Sequence, residues 1–139
     1  MERILIPVDG SRSSERAVKQ VIRLRAAGLT LQVLLLNVQP GALPGASRRA
    51  KHEAMQLNIL AADRALRGAR ALIAKAGLSD RTRVASGDPA RAIVKVAVQQ
   101  RCSHIVMGTR GLGALGALVL GSVATKVIQL SPVPVTVVK

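Results

Sequence analysis

Apolar residues along this chain fall into two rhythms. Nearly unbroken runs at Arg3 to Val8 (RILIPV), Leu31 to Val38 (LQVLLLNV), His104 to Met107 and Val133 to Val138 read as strands, with a short one at Thr82 to Ala85. Such runs fit a parallel sheet buried on both faces. Between them, apolar positions recur every three or four residues, as on one side of a helix. Ala17, Val21 and Leu24 mark the first helix, with Ser11 or Ser13 as cap and Gly28 as stop. Met55, Ile59, Ala62, Leu66, Ala69, Ile73 and Ala76 mark a long second one that ends at Gly77. Asp88 as cap and Pro89 at the first helical position open a third, continued by Ala92, Ile93, Val96 and Ala97. Val123 to Leu130 is the fourth, for which Ser122 is a good cap. Gln39 to Ser47, with two prolines and two glycines, is the clearest loop.

Strands alternating with helices predict an α/β fold, a doubly wound parallel sheet with right-handed crossovers. Ligands of such sheets bind beyond the carboxyl ends of the strands, where strand order reverses. The residues projecting there are Asp9 after the first strand, Val38 to Pro40 after the second, and a glycine-rich stretch after the fourth. If the first and fourth strands are neighbours, Asp9 faces that stretch. The plainer reading of Asp9 is a cap on the turn into the first helix, and Val38 and Met107 are equally well core residues.

The stretch from Gly108 to Ser122, GTRGLGALGALVLGS, lies between a strand and a helix start. Glycine lets a backbone approach an anion closely, and a helix start offers unpaired N–H groups at the positive end of its dipole. The stretch therefore reads as a phosphate cradle, Gly108 and Gly111 wrapping one side, Gly121 and the Ser122 hydroxyl the other. Two rival motifs fail on the same glycines. Gly111-Leu-Gly113-Ala-Leu-Gly116 has the dinucleotide spacing, but no Asp or Glu follows Asp88 to hold a ribose. Gly116 to Ser122 has the glycine spacing of a P-loop without its lysine. Leu112, Leu115, Leu118 and Leu120 suit a flap over a ligand or a partner contact.

Composition narrows the picture. A chain of 139 residues has the size of one domain, spanning 1–139, and its core must be aliphatic because Phe, Tyr and Trp are absent. No apolar run approaches the roughly 20 residues needed to cross a bilayer, the first strand pattern carries charges unlike a signal peptide, and the one cysteine, Cys102, has no disulfide partner. A cytoplasmic protein without a membrane partner is expected. The 21 Lys and Arg against 7 Asp and Glu give a net charge of +14, a field that draws any anion. Nucleic acid is possible but not favoured, because no aromatic residue is present to stack on a base. His52 and His104 have no metal-ligand spacing between them.

The glycine spacing, two residues between Gly108 and Gly111 and nine more before Gly121-Ser122, resembles the ATP-binding signature of the universal stress protein family. Ile4 to Ser11 (ILIPVDGS) resembles that family's opening strand, Gly87-Asp88-Pro89 with Ile93 its third helix start, and Ser131 to Val138 its closing strand, so the likeness runs the whole length. It implies a five-stranded sheet of order 3-2-1-4-5, adenine nucleotide alpha-hydrolase-like, in a homodimer that pairs its final strands, here Val133 to Val138. It implies binding of ATP, or of ADP or AMP. Asp9 would meet the ribose or base, the Val38 backbone the adenine, and Pro7, Val8 and Met107 would line the pocket. Gly108, Thr109, Arg110 and Gly111 would wrap the phosphates, with Gly121, Ser122 and Val123 completing the cradle.

Two positions depart from the family pattern: His104 stands where an acidic residue is common, and Asn37 where a histidine often ends the second strand. Asp9 is the only carboxylate expected near the site, so a divalent metal, Mg or Mn, would arrive with the nucleotide, and hydrolysis would be slow at most. Three functions follow from different classes: a nucleotide-dependent stress regulator, a nucleic-acid binder driven by charge, and a scaffold that leaves the pocket unused.

Overall fold

The computed structural model describes residues 1–109 and 120–139. Nine elements follow one another: β1 (Glu2–Pro7), α1 (Arg12–Ala26), β2 (Leu31–Gln39), α2 (Arg48–Lys75), β3 (Asp80–Ser86), α3 (Pro89–Gln99), β4 (His104–Gly108), α4 (Ser122–Leu130) and β5 (Val135–Val138). The strands form one parallel sheet in the order β3-β2-β1-β4-β5. Strand order reverses at the β1/β4 boundary.

Alternate residues of the unbroken strands serve two cores. Ile4, Ile6, Val8, Val33 and Leu35 pack under α1 and α2 through Ala17, Val18, Val21, Leu66, Ala69 and Ile73. Leu5, Leu34, Leu36, Ile105 and Met107 pack on the other face under α3 and α4, through Ile93, Val96, Ala97 and Val127. Layers of helix, sheet and helix result, as period-two burial on both faces requires.

The helix starts follow cap chemistry. Ser11 Oγ accepts from the Ser14 amide, Ser47 Oγ from Ala50 and the Asp88 carboxylate from Arg91, each three residues on. Of the two candidate caps for α1, Ser11 is the one used.

Three expectations need correction. Met55 and Ile59 lie in the stripe of the α2 core residues but are exposed, because burial on this helix begins only at Ala62. Strand β5 starts at Val135 rather than Val133, since Pro134 has no N–H for a ladder and the Val133 amide instead donates to Ser131 Oγ at 3.1 Å. Gly121, not Ser122, is the N-cap of α4, and Ser122 occupies the first helical position. Among the described residues no helix is long and apolar enough to cross a membrane.

Candidate functional site

Beyond the carboxyl ends of β1 and β4 lies a cavity of about 420 Å³. Small-molecule sites commonly hold ~300–1,000 Å³. Pro7, Val8, Asp9, Val38, Met107, Gly108, Thr109, Gly121, Ser122 and Val123 all line it. Arg110, Gly111 and the leucines Leu112, Leu115 and Leu118 lie outside the described residues. Strand order decides how the lining is divided: Leu36, Asn37 and Val38 enter from β2, on one side of β1, and Met107 to Thr109 from β4 on the other.

The β2 side owes its polarity to a length mismatch. Pairing with β1 stops at Pro7 and Leu36, whereas pairing with β3 continues to Gln39 and Ser86. The Leu36 carbonyl accepts from Val8 at 2.8 Å, so this residue faces β1. Two residues on, Val38 turns its amide and carbonyl the same way, past the end of β1 and into the cavity. Asn37, buried, closes the gap beneath: its Nδ2 donates to the Val8 carbonyl at 2.8 Å, and its Oδ1 accepts from Gln39 Nε2 at 2.7 Å. The side chain that departs from the family pattern thus fixes the spacing of the two strand ends.

The β4 side is polar for a different reason. Thr109 donates its amide to the Val138 carbonyl at 3.2 Å and accepts at its own carbonyl from Gly121 at 2.6 Å. That second bond sets the α4 start beside the end of β4. Ser122, Val123 and Ala124 form the first turn of the helix, whose amides have no partner within it, and glycine at the cap supplies no side chain to meet them. All three residues line the cavity. An uncapped helix start aimed into a cleft is chemistry suited to an anion.

Asp9 and Gly108 each have a structural duty as well. Asp9 Oδ1 accepts from the Ser11 amide at 2.9 Å, which holds the turn into α1. A Cβ on Gly108 would lie 2.6 Å from the backbone carbon and oxygen of Ser13, so the α1 backbone itself demands glycine there. Its presence in the signature is thus explained by packing before any ligand is considered. Gly121 is different: its φ of −63° suits any residue.

A model described as "Universal stress protein family" matches residues 1–139, the whole chain. The chain belongs to this family. Among universal stress proteins, YxiE of Bacillus subtilis (strain 168) is 30% identical over 99% of this chain and 98% of its own. MJ0531 of Methanocaldococcus jannaschii is 31% identical over 99% and 82% respectively. The solved universal stress protein from Archaeoglobus fulgidus is 28% identical, with a TM-score of 0.74 over 100% of this chain and 99% of that one. Two further structures share the fold at lower identity. One is a family member from Arabidopsis thaliana with AMP bound, at 21% and a TM-score of 0.74 over 100% and 92%. The other is from Archaeoglobus fulgidus in complex with dAMP, at 23% and 0.63 over 100% and 98%.

The universal stress protein cavity also takes in Ser14 of α1, and Pro89 and Ile93 of α3, which sequence spacing did not assign to the site. They come from helices on opposite faces of the sheet, and no spacing along the chain records which helix ends meet. Asp88, just outside, accepts from the Arg91 amide and from Lys126 Nζ at 3.1 Å, which ties the start of α3 to α4. Those hydrogen bonds, the amide first and Lys126 second, hold its carboxyl below the usual range. Cys102 lies away from the cavity, where burial pushes its thiol up against the opposing pull of Arg3.

Proposed function

We propose that this universal stress protein binds ATP, or a related adenine nucleotide, in the cavity between β1 and β4, and that the bound state governs which proteins its dimer engages. What carries the reading is the pairing of two features across one cleft: an open strand backbone at Val38 and the uncapped start of α4 at Ser122 to Ala124. An adenine ring has donors and acceptors on one edge and apolar faces. It suits the Val38 backbone with Val8, Ile93 and Met107 around it. Phosphates suit the helix start. Asp9, which lines the cavity between the two, would meet ribose hydroxyls. Support comes from the relatives crystallised with AMP and with dAMP, whose sheets match this one.

Asp9 is the only carboxylate among the described residues that line the cavity, and its Oδ1 already serves the turn. One carboxylate does not build a protein cage for Mg or Mn. Such an ion would come with the phosphates, where it would neutralise their charge. No second acid or histidine stands at the lining among the described residues to orient water, and this reading expects turnover to be slow or nil. The dimer would pair β5 with its copy, since β5 is an edge of the sheet.

Titration calorimetry with ATP tests the binding, and Gly121→Leu tests the place. The φ of −63° at Gly121 sets no backbone penalty against leucine, and the variant is expected to lose ATP heat while its circular dichroism and melting temperature, measured alongside, stay those of the parent. Retained binding in that variant would put the nucleotide elsewhere. Mass spectrometry of gently denatured protein identifies any nucleotide that is carried through purification.

A further inference from the structure

The edge of the sheet opposite β5 is β3, paired only to β2. Most of its residues are exposed. Alternate residues of such a strand turn their N–H and C=O groups outward, where they form a template for another extended chain. Register with β2 sets which face each side chain takes: Arg81, Arg83 and Ala85 stand opposite Leu34, Leu36 and Val38, on the side covered elsewhere by α3 and α4. Here the helical layer stops short. Between β3 and the flank of α3 an open groove of about 470 Å³ remains, apart from the nucleotide cavity.

The groove is basic over an apolar floor. Arg83, Arg91 and Lys95 line it, with Ala85, Ala92 and Val96 beneath. Its single lining carboxylate, Asp88, is engaged by the Arg91 amide and by Lys126. Among the described residues neither Arg83 nor Lys95 makes an ion pair.

We propose that β3 and this groove bind an acidic protein segment in extended conformation, which adds to the sheet as a sixth strand beside β3. Backbone groups of β3 supply the pairing, and alternate acidic side chains of the added strand lie over the groove against Arg83, Arg91 and Lys95. This is recognition by strand addition, in which main-chain bonds give affinity and the flanking side chains give selectivity. Charge selects the occupant. A second copy of this chain carries +14 and would set Arg81 and Arg83 against their equals. Nucleic acid would find cations but no aromatic surface, and it has no use for a strand edge.

The probe is a fluorophore-labelled peptide of alternating Glu and Val, as long as β3 at seven residues. Its anisotropy is followed on titration with the full chain. Binding is expected to weaken roughly tenfold in Arg83→Glu and in Lys95→Glu. Arg49→Glu, which changes net charge equally but lies on α2, should leave it unaltered, with the same circular dichroism in all three. Methylating alternate backbone nitrogens of the peptide should abolish binding. Equal affinity for the methylated peptide, equal weakening by Arg49→Glu, displacement of the peptide by an oligouridylate at lower concentration, or no binding at all would each overturn the proposal. In the last case Arg81 and Arg83 serve only to keep the edge from aggregating.

Discussion

A methyl group at position 108 would stand 2.6 Å from the carbonyl of Ser13, well inside contact distance, and backbone cannot step aside as a flexible side chain does. Gly108→Ala should therefore cost about 1–3 kcal/mol, as overpacking does, and thermal unfolding should show a melting temperature several degrees lower. If the melting temperature is unchanged, α1 does not press on β4 as described. The glycine signature thus mixes two kinds of position, one demanded by packing and one, Gly121, whose backbone angles do not call for glycine. From the sequence these look alike, because glycine is equally silent about what it avoids. Asn37 is a second case. Its bond to the Val8 carbonyl appears only once β1 and β2 are in register. The strand pattern put Val38 at the carboxyl end of β2 and the resemblance gave its backbone to adenine, but the physical cause, a β2 that outlasts β1, depends on two strand lengths at once.

Among the elements, strands were easiest to read, because burial on both faces leaves the middles of β1, β2 and β4 without a polar residue. Caps were nearly as plain: Ser11, Asp88 and Pro89 sit where side-chain chemistry puts them. The extent of α2 was not legible, since periodicity reports a face and not what lies opposite it. Met55 and Ile59 continue the stripe of Ala62 and Leu66 past the point where burial ends. Denaturant unfolding separates the two parts of the stripe. Leu35→Ala, fully buried on β2, should lose about 2–5 kcal/mol, while Met55→Ala should stay within about 0.5 kcal/mol of the parent. A large loss at Met55 would mean that the first half of α2 is covered.

Helix α3 makes a prediction about acid. The folded pKa of Asp88 is depressed, so its contribution to stability is complete above the ordinary carboxylate pKa of about 3.9. It is lost as pH falls below that value and through the folded pKa. Asp88→Asn keeps an oxygen for the Arg91 amide but gives up the charge facing Lys126. Melting temperatures of parent and variant should differ most near neutral pH and converge as pH is taken below about 4. Parallel curves would show that Lys126 contributes nothing there.

Taken whole, the molecule is a strongly positive body, and beside that charge it carries the cleft proposed for a nucleotide; the two respond differently to salt. The field of +14 charges acts over distance and is screened beyond ~10 Å at 0.1 M salt. The amides of Ser122 to Ala124 would act at contact and hardly feel it. If ATP is held by that helix start, raising salt from about 50 to 200 mM should weaken binding by less than tenfold. A nucleic acid held by 6–10 phosphate contacts would lose ~10³–10⁵ over the same range. ATP at a hundred times its Kd would add about 2.7 kcal/mol to stability and raise the melting temperature by roughly 10 °C. Gly121→Leu should cancel that rise and leave untouched whatever nucleic acid the basic surface retains. Steep salt dependence for ATP, joined to indifference to Gly121→Leu, would make the charge and not the cleft the source of its binding.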